Sequence, residues 1–145
     1  MITEIEGIKV GHWTDSNAQT GCTVILFPQE TVASGEIRGG APATRDFALL
    51  EPTRLVDQIN AVVLSGGSAF GLSACSGVME FLEEAKIGFS TSAGKVPIVV
   101  GLSLFDLGSG SSTVRPGHQE GKEAASVASA IAPLGRVGAG AGATV

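Results

Sequence analysis

The residues best suited to chemistry lie together at Ser65-Gly66-Gly67-Ser68, directly after the apolar run Ile59–Leu64 and before Phe70. Two glycines between serines can take positive φ and bring backbone N–H groups close to a ligand, and a helix starting there offers unpaired donors in its first turn. A carboxylate, an oxyanion or a close packing contact would fit such a turn equally well. A nucleophile elbow, Gly-x-Ser-x-Gly, does not fit: counting from Gly66 puts Phe70 fifth, and the glycine comes one place late at Gly71. A dinucleotide fingerprint fails at every offset here, and Gly138 and Gly140 are followed by Ala143 where the third glycine belongs. Cys22 and Cys75 stand in apolar surroundings without Cys or His at metal-binding spacing and read as packing thiols. His12 and His118 stand alone. Neither a metal nor an organic cofactor is expected.

The turn must be held by its neighbours. Ile59–Leu64 is rich in β-branched residues, as in a strand buried on both faces. Beyond the turn Phe70, Ala74, Gly77, Val78, Phe81 and Leu82 recur at helical spacing, with Glu80, Glu83 and Glu84 mostly opposite, so the stretch predicts strand, glycine turn and helix. Upstream, Gly7–Trp13 and Cys22–Phe27 predict two paired strands around the polar turn Asp15–Ala18. Thr31–Arg38 alternates loosely and predicts a third, and Gly39–Arg45 a loop. Phe47–Glu51 reads as a helical turn stopped by Pro52. Downstream, residues 87–95 predict a polar link, Pro97–Leu107 a core strand, and Gly108–Ser112 a mobile loop. Gln119–Ile131 predicts a helix ended by Pro133. The glycine-alternating segment Gly135–Val145 predicts a strand or tight packing surface, because bare positions on one face admit a close neighbour.

The totals narrow the function. The chain has 145 residues, enough for one domain, and is 43% hydrophobic and 16% charged, so it is apolar for its size. An extensive protein interface or further polypeptide would explain that excess. A net charge of -5 with nine basic residues argues against nucleic acid as a partner. No apolar segment approaches the ~18 residues needed to span a membrane, and Met1-Ile2-Thr3-Glu4 lacks a signal-peptide pattern, so a cytoplasmic location is expected.

The order of segments is itself distinctive. Gly7–His12, Gly21–Val24, Ile37–Arg45, Leu49–Pro52, Ala61–Leu72, Leu104–Leu107 and Val137–Val145 together resemble the P1 family of peptidases, which includes the DmpA-type L-aminopeptidase/D-esterases, β-peptidyl aminopeptidases and the nylon-oligomer endohydrolase. The resemblance spans essentially the whole chain. It implies an α+β fold, a layered α/β/β/α sandwich with helices outside and two sheets inside. It also implies a precursor that cuts itself before a Ser or Thr, whose freed α-amino group serves as base. The implied substrates are amides or esters of short peptides or amino-acid derivatives.

The nucleophile, an Asn and a Lys follow the glycine-alternating segment in that family. No catalytic residue is therefore assigned within this chain, which reads as the front part of an α subunit, inactive alone. Its expected partners are a β subunit or the remainder of its own precursor, within a homo-oligomer. A non-catalytic binding or assembly module, using the glycine turn as an anion site, is the alternative. The pocket candidates are Ser65, Gly66, Gly67, Ser68, Phe70 and Phe105. Phe105 stands where some relatives place a Tyr and reads as a pocket wall. Asp106 reads as a strand-end carboxylate capping its own loop or orienting neighbours. Arg38 and Arg45 bind a substrate carboxylate, close a subunit contact, or simply form surface ion pairs. Trp13 reads as a core or interface residue.

Overall fold

The computed structural model describes residues 1–144. Strands Lys9–Asp15 (β1) and Thr20–Leu26 (β2) form an antiparallel hairpin. Asp15 Oδ1 closes its turn by accepting the amides of Asn17 and Ala18 at 3.0 and 2.8 Å, the local bond that favours Asp at such corners. Thr44–Arg45 (β3) is a two-residue strand, and Phe47–Leu50 forms a 3-10 turn before Pro52. Ala61–Ser65 (β4) follows, then a 3-10 segment Ser68–Ser73 that runs into helix Ala74–Glu84 (α1). Phe89–Thr91 (β5) and Gly94–Val96 (β6) pair as a small ribbon. Val99–Ser103 (β7) and helix His118–Ser126 (α2) complete the main elements.

The principal sheet has the order β1-β2-β4-β7-β3, with β4 and β7 parallel and the other pairs antiparallel. Side chains alternate across it. Cys22, Val24, Ala61, Val63 and Val99 point to the helix side, where they bury Ala74, Cys75, Val78 and Leu82 of α1 and Ala124 and Ala125 of α2. The helices cross closely because Gly77 lets α1 lie directly on the carbonyl of His118, where any Cβ would overlap it. On the other sheet face Val62, Val100 and Leu102 pack with Phe47, Leu49, Leu50 and Val56 from the loops. That cover is incomplete, and Leu64 stays 37% exposed.

Several expectations change. Thr31–Arg38 is not a strand: only Val32 bridges, to Gln58, since most of its alternating side chains have no layer to pack against. Residues 89–96 form a ribbon, not a link. The helix expected through Ile131 stops at Ser126, and Ser129 instead exchanges two backbone hydrogen bonds with Val10 at the sheet edge. Gly138–Ala141 is a 3-10 turn, not a strand. Close packing does explain its glycines. A Cβ on Gly138 would lie 2.6 Å from His12 Nδ1, and one on Gly142 2.6 Å from Asp106 Oδ2. Val145 lies outside the described residues.

Candidate functional site

Parallel strands β4 and β7 end side by side, with Ser65 opposite Ser103. Ligands of open α/β sheets gather beyond such carboxyl ends, where the chain leaves the sheet and side chains can converge. Here the glycine turn leaves β4 while Leu104-Phe105-Asp106 leaves β7. Leu104 N donates to Ser65 O at 2.9 Å and Ser68 N to Leu104 O at 2.9 Å, so the two exits are laced together. Ser103 Oγ donates to the carbonyl of Ser65 at 3.0 Å and also contacts that of Ser68.

The turn needs left-handed backbone at consecutive residues, Gly67 (φ 82°) and Ser68 (φ 56°). Glycine takes this conformation freely, and the serine is held in it by the bonds above. The key support is Asp106. It is 3% exposed, accepts Gly67 N–H on Oδ1 at 2.6 Å and the Thr20 hydroxyl on Oδ2 at 2.7 Å, and has no cation beside it among the described residues. The carboxylate does not cap its own loop: Ser109 N reaches the Asp106 carbonyl instead. Its partners lie 39 and 86 residues away, so sequence spacing gave no signal for this role.

The candidates divide. Ser65 is buried and its hydroxyl donates to Gly66 O at 3.0 Å, so it supports the turn from within. Gly66 and Gly67 are buried too, and their amides go to Gly21 O (2.8 Å) and Asp106. With Ser68 N also engaged, the turn has no free backbone donor for an anion among the described residues, and the first turn of α1 is preceded by 3-10 backbone rather than opening at the glycines. Phe70 lies outside α1 and is 62% exposed; Phe105 is 74% exposed. These two, exposed Ala69 and the half-buried Ser68 belong to the accessible part of this edge. Phe105 brings no hydroxyl to it.

A side chain absent from the sequence reading joins them. The Arg115 guanidinium carbon sits 4.0 Å from the centroid of the Phe70 ring. Arg45 is used elsewhere, tying β3 to α1 through Ser76 Oγ (2.8 Å) and Met79 Sδ (3.0 Å), and Arg38 pairs with exposed Glu36 at 2.8 Å. A cleft of about 720 Å³ lies apart from the turn, between residues 34–37 and 44–52. A smaller one of about 180 Å³ joins it to Leu102 and Ser103.

The thiols are fully buried: burial pushes Cys22 up to about 12 and Cys75 up to about 11, which leaves neither a nucleophile at neutral pH. His12 Nδ1 meets Thr23 Oγ1 at 2.9 Å, and burial lowers its pKa, partly opposed by the Pro133 carbonyl. Among the described residues its buried Nε2 finds no hydrogen-bond partner. His118 faces Glu80 at 2.8 Å on the outer surface of the helices. Among the described residues no serine or threonine hydroxyl at the turn is joined to a histidine base. No helix among them is long and apolar enough to cross a membrane.

The mixed α+β architecture matches solved structures. It superimposes on the PH0078 protein from Pyrococcus horikoshii OT3 with a TM-score of 0.68 at 24% identity, covering 99% of this chain and 44% of that one. A Burkholderia sp. beta-aminopeptidase gives 0.65 at 20% identity, over 97% and 42%. The profile of peptidase family S58, the DmpA family, matches residues 1–145, and the chain belongs to that family. Among curated relatives, an uncharacterized aminopeptidase of Mycobacterium tuberculosis (strain ATCC 25618 / H37Rv) is 43% identical over 147 residues, which cover 96% of this chain and 43% of the relative. A 6-aminohexanoate-oligomer endohydrolase of Kocuria sp. (strain KY2) is 29% identical over 94% of this chain and 36% of its own length. The chain thus spans less than half the length of these relatives.

Proposed function

We propose that this chain forms the substrate-side portion of an amide hydrolase of the aminopeptidase type, whose Ser or Thr nucleophile is released by self-cleavage and belongs to polypeptide downstream of Val145. The observation that carries this reading is the edge at β4 and β7 in a member of peptidase family S58. It combines a rigid turn, exposed Phe70 and Phe105 and a stacked arginine with no serine–histidine pair. The incomplete cover over Leu64 supports further packing from the same downstream polypeptide, because exposed apolar surface is unfavourable in water. The names of the curated relatives support attack on an amide.

The test is to express the gene with its natural continuation and measure intact masses and hydrolysis of amino-acid p-nitroanilides. Two fragments, the second beginning with Ser or Thr, are expected together with activity. An active, uncleaved chain, or robust activity from residues 1–145 alone, would overturn the proposal.

A further inference from the structure

We propose that Arg115 anchors a free carboxylate of the substrate, so that short peptide acids are preferred over the corresponding amides. The inference rests on the hydrolase reading above and adds the chemical class of its substrate.

The side chain is held in place from two sides. Its Cβ and Cγ pack against Gly67, where an added Cβ would lie 3.0 and 3.2 Å from them, and its guanidinium lies over Phe70. Pro116, fully buried, fixes the backbone that follows. The arginine therefore belongs to the turn that Asp106 holds, not to a wandering surface loop.

Its hydrogen-bonding groups are unused. Arg38, Arg45 and Arg54 each meet an acidic or polar partner, whereas Arg115 and Arg136 make no hydrogen bond or ion pair among the described residues, and of these two only Arg115 is seated on a ring. A guanidinium lying over a ring still presents its N–H groups edgewise, and that planar fork matches a carboxylate in bidentate fashion. The backbone amides of residues 66–68 are all engaged, so an anion arriving at this edge meets the Arg115 guanidinium and the Ser68 hydroxyl rather than the amides of the turn. The net charge of -5 gives the rest of the chain no general attraction for anions, which makes a local cation informative.

The test uses the full-length protein with L-alanyl-L-alanine and its C-terminal amide. For binding, the same pair is used with the scissile amide reduced to a non-cleavable amine. The wild type is expected to favour the acid by about ten-fold in kcat/KM, carried by KM, and in Kd. Arg115→Met should bring both ratios within about two-fold of unity, and Arg115→Lys should retain part of the preference. Equal handling of acid and amide by the wild type, in turnover or binding, overturns the anchor, as does an undiminished preference in Arg115→Met. That same equality would follow if a carboxylate from the rest of the polypeptide occupied Arg115. If the reduced acid binds with its ten-fold advantage while neither peptide is hydrolysed, the anchor stands and the hydrolase reading falls. If neither analogue binds and neither peptide is turned over, both readings are overturned.

Discussion

The Gly67 amide donates to Asp106 Oδ1 at 2.6 Å, fastening the exit of one parallel strand to the exit of its neighbour. The other carboxylate oxygen holds Thr20 at the start of β2, so one buried acid joins three segments of the chain. Removing an acceptor of this kind strands its donors away from water.

Asp106→Ala should therefore cost about 2–4 kcal/mol, since both Gly67 N–H and the Thr20 hydroxyl lose their partner. Asp106→Asn can still accept from Gly67 and turn its amide toward Thr20, and is expected to lose less than half as much. Denaturant titration of the three proteins checks the order.

Gly77→Ala sets propensity against packing. Alanine is favoured in a helix interior by about 1 kcal/mol over glycine. The added methyl would nevertheless overlap the His118 carbonyl of α2, which is backbone and cannot swing away. A net loss of about 2 kcal/mol or more is expected in thermal unfolding; a stabilised variant would contradict the described helix crossing.

Lys122 bridges Glu80 at 2.6 Å and Glu84 at 2.8 Å across the helix pair. The Lys122 hydrogen bond holds Glu80 below its ordinary 4.5, and that contribution exists above 4.5 and disappears as pH falls through the lowered value. Lys122 is raised above 10.5, chiefly by Glu80, so its contribution is complete below 10.5 and is lost as pH rises through the raised value. The difference in Tm between wild type and Lys122→Met should be present at neutral pH, shrink in strong acid and strong alkali, and weaken with salt.

Alkylation should report the core. With thiols pushed up to about 12 and about 11, and both side chains fully buried, Cys22 and Cys75 should react with iodoacetamide at neutral pH only through unfolding. Labelling rates followed by mass spectrometry should rise in step with destabilisation by Gly77→Ala. Fast labelling of the native protein would refute the burial.

Sequence pattern revealed what local chemistry controls. The β-branched run at Ala61–Ser65, the hairpin of β1 and β2 and the apolar stretch at Val99–Ser103 form the expected strands. Leu64, expected to be covered on both faces, is nevertheless partly exposed, and the strand expected over Pro97–Leu107 ends at Ser103 and leaves Phe105 exposed. The β5 and β6 ribbon was hidden because its six residues are all exposed and carry no hydrophobic period. The tail resembled a strand because its glycines alternate, yet each answers a different neighbour, His12 for Gly138 and Asp106 for Gly142. At the site, the turn and the two phenylalanines were legible, while Asp106 and Arg115 gained meaning only when distant segments met. Arg115 looks like any loop arginine until Phe70 lies beneath it.

The position of β7 between β4 and β3 carries a consequence for how the chain emerges from the ribosome. Both flanking strands are synthesised before the one that separates them, so each waits with a bare hydrogen-bonding edge until Val99–Ser103 arrives. During that interval Ala61–Ser65 is a sticky template, and direct pairing with Thr44–Arg45 would be a trap to undo. Slowed translation between Ser65 and Val99 should therefore raise dependence on chaperones, even where the finished protein is unchanged.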